Sequence, residues 1–98
     1  MIGSLTAEDR ATSLRQAAHK LDVALLALEA FDLRHAGQPA DPQRASDRRL
    51  LVDVAAQICW EYVVQREMNG VDDHGDLRQR YRVPDEVWQR IGASPRPE

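Results

Sequence analysis

The densest set of side chains able to bind a metal lies in one short, aspartate-rich segment. Residues 72–76 read Asp-Asp-His-Gly-Asp, and carboxylates together with imidazole suit zinc, manganese or iron. The segment does not match a calcium loop, because its glycine comes too early and the distal glutamate is absent. Asp72, His74 and Asp76 are therefore the candidate metal ligands. The competing interpretation is a solvated turn with a helix cap, in a protein with no metal and no cofactor.

Two other groups of reactive side chains fall within helical patterns. Asp32 and His35 stand three residues apart and share a helix face in the spacing that di-iron bundles use, but residues 42–69 offer no histidine to complete such a site. Cys59 lies among apolar residues deep inside a helical pattern, which favours core packing over nucleophilic catalysis. As the only cysteine, it excludes an internal disulfide and a zinc site made only of thiolates.

Two arginine clusters are candidates for binding anions. The ligand-binding candidates are Arg78, Arg80, Tyr81 and Arg82. Three cations with an aromatic ring could hold a phosphate or single-stranded nucleic acid, but acidic residues on both sides favour pairing within the chain. The second cluster, Arg44, Arg48 and Arg49, opens helix 2, and its charges are expected to be offset by Asp41 and Asp47. The net charge of −3 argues against a general nucleic-acid binder, so a nucleic-acid accessory role is kept as an alternative.

The elements that position these residues are predicted to be two long helices. Helix 1 is expected over residues 7–36, after the N-cap Thr6. Helix 2 is expected over residues 42–69, with Pro42 at its first position and Gly70 after its end. Because the two helices are of similar length and the connection is short, they predict an antiparallel hairpin.

The rest of the chain is expected to complete one helical domain. Residues 77–82 form one turn or stay extended, residues 84–91 form a short helix, and the tail 93–98 is flexible. A length of 98 residues, with 43% hydrophobic and 30% charged residues, is typical of a single globular domain. No stretch resembles a transmembrane helix or a secretory signal. We therefore expect a cytoplasmic protein that does not bind membranes.

Both long helices carry a second apolar face that a single hairpin cannot cover. On helix 1 this face holds Val23, Leu26 and Leu33, and on helix 2 it holds Trp60 and Val64. Together they would expose a patch on the order of several hundred Å², which a monomer rarely tolerates. We expect a homodimer whose hairpins form a four-helix bundle with these five residues at the interface. The alternative is a monomer in which the C-terminal third wraps back over the hairpin.

Two resemblances bear on function. Length and helix content resemble those of the all-helical chorismate mutases, but such sites need several inward-pointing cations, and Arg15 and Lys20 lie outside the apolar stripe. An enzyme of that kind, or another small-molecule binder, is the catalytic alternative. The runs Val-Val-Gln-Arg-Glu at 63–67 and Tyr-Arg-Val-Pro-Asp-Glu-Val-Trp at 81–88 are similar to a family of short bacterial helical proteins without an assigned activity. This resemblance covers about residues 14–92 and implies a small bacterial cytoplasmic protein, without implying any catalytic residue.

The sequence as a whole favours an all-α, non-catalytic interaction or assembly protein. Its partner is expected to be a second copy, and an unidentified protein is the other candidate. On this hypothesis Trp60→Ala and Leu26→Asp weaken association more than they disturb helicity.

Overall fold

Two long helices form an antiparallel hairpin, as the apolar pattern predicts. A computed structural model describes residues 6–93. Helix α1 spans Ala7–Arg34 and helix α2 spans Pro42–Met68, and they pack against each other along their length. Every regular element in the described part of the chain is a helix, so the protein is all-α.

Side-chain caps explain where α1 and α2 begin. The Thr6 hydroxyl accepts a hydrogen bond from the backbone N–H of Asp9 at 3.0 Å, and the Asp9 carboxylate accepts one from the Thr6 N–H at 3.4 Å. This reciprocal capping box satisfies two orphan donors of α1. At the start of α2, Asp41 accepts from the Arg44 N–H at 3.0 Å, and Pro42 occupies a position that needs no N–H donor.

Glycines in the left-handed region follow both long helices. Gly37 has φ +77° and Gly70 has φ +85°, values that other residues adopt only with strain. Helix α1 ends at Arg34, two residues before the end expected from the sequence, because the chain already turns at His35.

Two short helices, α3 over Gly75–Arg80 and α4 over Asp85–Ala93, make up the C-terminal third. Of the two alternatives for residues 77–82, one turn or an extended segment, the structure has the turn, because residues 77–80 belong to α3. The Asp73 carboxylate accepts from the Gly75 N–H at 3.0 Å and supports the first turn of α3. Leu77 is completely buried, so α3 is also held by the core.

The core is a layer between the hairpin and the C-terminal third. Leu21 and Leu28 of α1 meet the inner face of α2, where Ala55 and Cys59 are fully enclosed. Its other buried apolar members are Ala24, Val52, Ala56, Tyr62, Val63, Leu77, Val83 and Val87. Helix α4 packs on α2, so the C-terminal third covers α2.

The described part of the chain measures 55 × 30 × 28 Å. Within residues 6–93 no helix combines the length and apolar character needed to cross a lipid bilayer. The predicted flexible tail lies outside the described residues, apart from Ala93 at the end of α4.

Candidate functional site

The face of α1 turned away from the core carries a row of exposed apolar side chains. We name this row the outer stripe; it consists of Val23, Leu26, Ala30 and Leu33. At 100° per residue it is centred roughly 170° from the core residues of the same helix. The exposed fractions are 52% for Val23, 61% for Leu26 and 72% for Leu33. The C-terminal third therefore leaves this part of the expected interface uncovered.

The expected interface residues of α2 have a different environment. Trp60 and Val64 are both half-buried. Arg90 of α4 forms an ion pair with Asp53 at 2.8 Å, and Asp53 lies seven residues, or two helical turns, before Trp60 on the same face. Helix α4 thus partly covers this face of α2. The structure separates the five predicted interface residues into an exposed set on α1 and a half-buried pair on α2.

A groove of ≈ 600 Å³ runs beside the outer stripe, between α1 and the segment that joins α3 to α4. Leu26 and Leu33 contribute to one wall, and Tyr81 and Pro84 contribute to the other. Its charged lining residues are Asp22, Glu29, Asp32, Arg48, Arg82 and Glu86. Carboxylates outnumber guanidinium groups four to two there, so the rim of the stripe on this side is acidic.

Arg48 uses its guanidinium to join three helices at the edge of the groove. Its Nε lies 2.7 Å from Asp32 Oδ1 on α1, and its Nη2 lies 2.8 Å from Glu86 Oε2 on α4. Hydrogen bonds from Arg48 hold the pKa values of both carboxyls below their usual range, and the two carboxylates raise the pKa of Arg48. The three groups satisfy one another, so they do not form a free catalytic acid, base or anion clamp.

The prediction that Arg48 pairs with Asp41 and Asp47 is wrong. Asp41 caps α2, and Asp47 accepts a hydrogen bond from Gln43 at 2.9 Å. The true partners lie sixteen and thirty-eight residues away along the chain. No local charge pattern identifies them, because the packing of α1 and α4 on α2 brings them together.

The candidate anion-binding residues do not converge on one site. Arg78 pairs with Asp85, and its guanidinium lies 5.9 Å from the centre of the Trp88 ring. Arg82 instead lines the groove beside α1 and has φ +53°, a strained value for a residue with a side chain. Arg80 is exposed. Acidic residues near the cluster therefore neutralise part of it, as expected for pairing within the chain.

Tyr81 is held at the boundary of the core. Its hydroxyl lies 3.3 Å from that of Tyr62, and the two rings meet edge to face. Burial and this hydrogen bond raise the pKa of Tyr81 to about 12. Packing against Tyr62 therefore explains the position of Tyr81 without a bound ligand.

Two of the three candidate metal ligands, His74 and Asp76, are engaged with other partners. Asp76 accepts from Arg66 at 3.0 Å, and this bond lowers the pKa of Asp76. His74 Nε2 lies 3.2 Å from Glu67, and Asp72 is exposed. In the described range 6–93 no three histidine, cysteine, aspartate or glutamate side chains are grouped so that they could hold a metal ion.

The contacts of Asp32, His35 and Cys59 also indicate structural rather than catalytic roles. Asp32 pairs with Arg48, whereas His35 Nδ1 lies 3.2 Å from Gln38 Oε1, so Asp32 and His35 do not act as a pair. Cys59 is completely buried, and desolvation raises the pKa of its thiol to about 11. This burial disfavours the thiolate, which a nucleophilic cysteine requires.

Sequence reasoning missed two residues that flank the outer stripe. Glu29 and Arg34 are exposed and lie on opposite sides of it, roughly 70° to either side at 100° per residue. Within residues 6–93 neither side chain has an ion-pair or hydrogen-bond partner. The signal that could have found them is the spacing of the stripe along α1, which places both residues beside it.

No curated protein and no solved structure matches this chain. A family model does match nearly the whole sequence, over residues 4–98. The chain belongs to the family of unknown function DUF6665.

Proposed function

We propose that this protein is a non-catalytic interaction protein that associates with a second copy of itself through the outer stripe of α1. The carrying observation is the exposure of Val23, Leu26 and Leu33 on the side of α1 opposite to the core. A large apolar side chain gains about 1.5–3 kcal/mol when fully buried. Covering three of them on each of two copies therefore supplies a real driving force for association.

The arrangement of charges also favours an interface over a catalytic centre. The best-formed polar group at the groove, Arg48 with Asp32 and Glu86, is already paired internally. Among the arginine candidates for nucleic-acid binding, Arg78 pairs with Asp85 on α4, whereas Arg82 lines the groove beside α1. Within residues 6–93 the exposed apolar row on α1 is a surface feature that no internal contact explains, although Leu50, Val54 and Met68 of α2 are exposed as well.

The proposed setting is the bacterial cytoplasm. The family resemblance to short bacterial proteins supports this setting. The buried free thiol of Cys59 also fits a reducing compartment.

A pair of matched variants tests the proposal. Leu26 and Leu50 are exposed to almost the same extent, 61% and 62%, but Leu50 lies on α2. We expect Leu26→Asp to abolish dimers in light scattering after gel filtration, whereas Leu50→Asp leaves them intact. Circular dichroism should show unchanged helicity in both, since neither side chain is in the core. Equal dimer content in the two variants would show that the outer stripe is not the interface.

A third variant tests whether the interface lies on α1 or on α2. Trp60 is half-buried on α2, so Trp60→Ala should reduce the melting temperature more than it reduces association. Loss of dimers in Trp60→Ala without thermal destabilisation would place the interface on α2 instead.

A further inference from the structure

The spacing of the outer stripe indicates how the second copy would be oriented. Val23, Leu26, Ala30 and Leu33 are separated by three, four and three residues. This is the 3.5-residue repeat of a coiled-coil seam, with Val23 and Ala30 at the a positions and Leu26 and Leu33 at the d positions. A straight helix drifts by only about 20° per heptad relative to this repeat. Two heptads on α1 can therefore form a seam without supercoiling the helix.

The residue types at these positions favour two strands. Among parallel coiled coils, a β-branched residue at a with leucine at d favours dimers over trimers and tetramers, and Val23 followed by Leu26 provides this combination. Ala30 at the next a position lets the two backbones approach closely beside Leu33. The core lies on the opposite side of α1, so each copy's own α2 stays clear of the seam.

The flanking charges favour the parallel orientation. Glu29 is at a g position and Arg34 is at the following e position, five residues later. In a parallel, in-register pair, g of one helix faces the following e of the other, so Glu29 would meet Arg34 of the second copy on both sides of the seam. In an antiparallel pair g faces g, and Glu29 would meet an acidic side chain, Asp22 or Glu29, of the second copy.

The seam has a natural end toward the start of α1. Before Val23 the corresponding positions are polar, with His19 at d and Gln16 at a. In the parallel arrangement Arg15 would also face Lys20 of the second copy, which is a like-charge contact. The close contact is therefore limited to residues 22–34.

We infer that two copies pack parallel and in register along residues 22–34 of α1, with the two-fold axis running along the seam. This inference rests on the proposed self-association and adds its geometry. The interface is isologous, so each copy contributes Glu29 to one flank and Arg34 to the other.

A cysteine introduced at the middle of the seam tests the orientation. Ala30→Cys places two thiols at facing a positions, within the Cα separation of about 4.4–6.8 Å that a disulfide spans. We expect mild oxidation to convert this variant to a covalent dimer. The matched control is Ser46→Cys, an exposed position on α2, which should stay monomeric under denaturing, non-reducing electrophoresis. The native Cys59 is buried and does not compete. Equal cross-linking of both variants, or none in Ala30→Cys, would contradict the parallel seam.

A charge exchange tests the register independently. Glu29→Arg or Arg34→Glu alone creates two like-charge contacts across the seam, and we expect each to weaken the dimer about tenfold at low salt. The double variant restores opposite charges and should recover the original dissociation constant. If the wild type forms a dimer but the double variant does not recover its dissociation constant, the proposed register is wrong and the proposed function still stands. A monomeric wild type would overturn both.

Discussion

Replacing Arg48 with methionine should destabilise the protein in a pH-dependent way. The guanidinium connects Asp32 of α1 and Glu86 of α4 to α2, with contacts of 2.7 and 2.8 Å. Methionine keeps most of the side-chain volume but removes both ion pairs. It also leaves two carboxylates near each other without a cation between them.

The expected loss of stability in Arg48→Met follows from the solvent exposure of the three side chains. The Arg48 side chain is 33% exposed and both carboxylates are 48% exposed, so solvent screens each pair. Exposed pairs contribute about 0.2–1 kcal/mol each, and we expect Arg48→Met to cost about 1–2 kcal/mol at neutral pH. For a domain of this size each kcal/mol lowers the melting temperature by about 4–8 °C. Arg49→Met, at an exposed neighbouring position, is the control and should change the melting temperature little.

The pH dependence follows from the lowered pKa values of Asp32 and Glu86. Their usual values are 3.8 and 4.5, and the folded-state values lie below these because of Arg48. A lowered folded-state pKa gives stabilisation that is complete above the usual value and is lost as the pH falls through the folded value. Urea unfolding from about pH 6 to about pH 3 should therefore show the wild type and Arg48→Met converging. A free-energy difference that stays constant across this range, or that Arg49→Met reproduces, would mean that the ion pairs of Arg48 do not stabilise the fold.

Three further predictions concern the core. Leu77→Ala should cost about 2–5 kcal/mol in chemical unfolding, because Leu77 is fully buried and anchors α3; a cost below about 1 kcal/mol would mean that α3 is not held by the core. Cys59, with a pKa of about 11, should react with a thiol reagent at pH 8 only after unfolding, and fast reaction in the folded state would contradict its burial. Tyr81, with a pKa of about 12, should stay mostly protonated at pH 11 in an ultraviolet titration as long as the fold persists. The ionisation step that is missing in Tyr81→Phe is the one that belongs to Tyr81.

Local signals in the sequence identify the helices, whereas long-range packing decides the surfaces. Thr6 with Asp9, and Asp41 with Pro42, act within three residues, so helix starts can be read directly. Helix α3 depends on Leu77 entering a core built by distant residues, and the local sequence leaves both one turn and an extended segment open over residues 77–82. The ion pairs of Arg48 likewise depend on where α4 packs.

The candidate site illustrates the same distinction. A helical wheel identifies second apolar faces on both long helices but cannot tell which of them the C-terminal third covers. Helix α4 lies on α2, so Trp60 is half-buried while Leu33 is exposed. The 3.5-residue spacing of the outer stripe was already present in the sequence. It becomes informative only once Leu21 and Leu28 are known to face the other way.

The most direct test of self-association is sedimentation equilibrium of the wild-type protein. Over a range from about 1 μM to about 500 μM, which covers dissociation constants from tight to weak, we expect the mass to rise toward twice the monomer mass of 11.1 kDa. A mass that stays at 11.1 kDa across the whole range would contradict it.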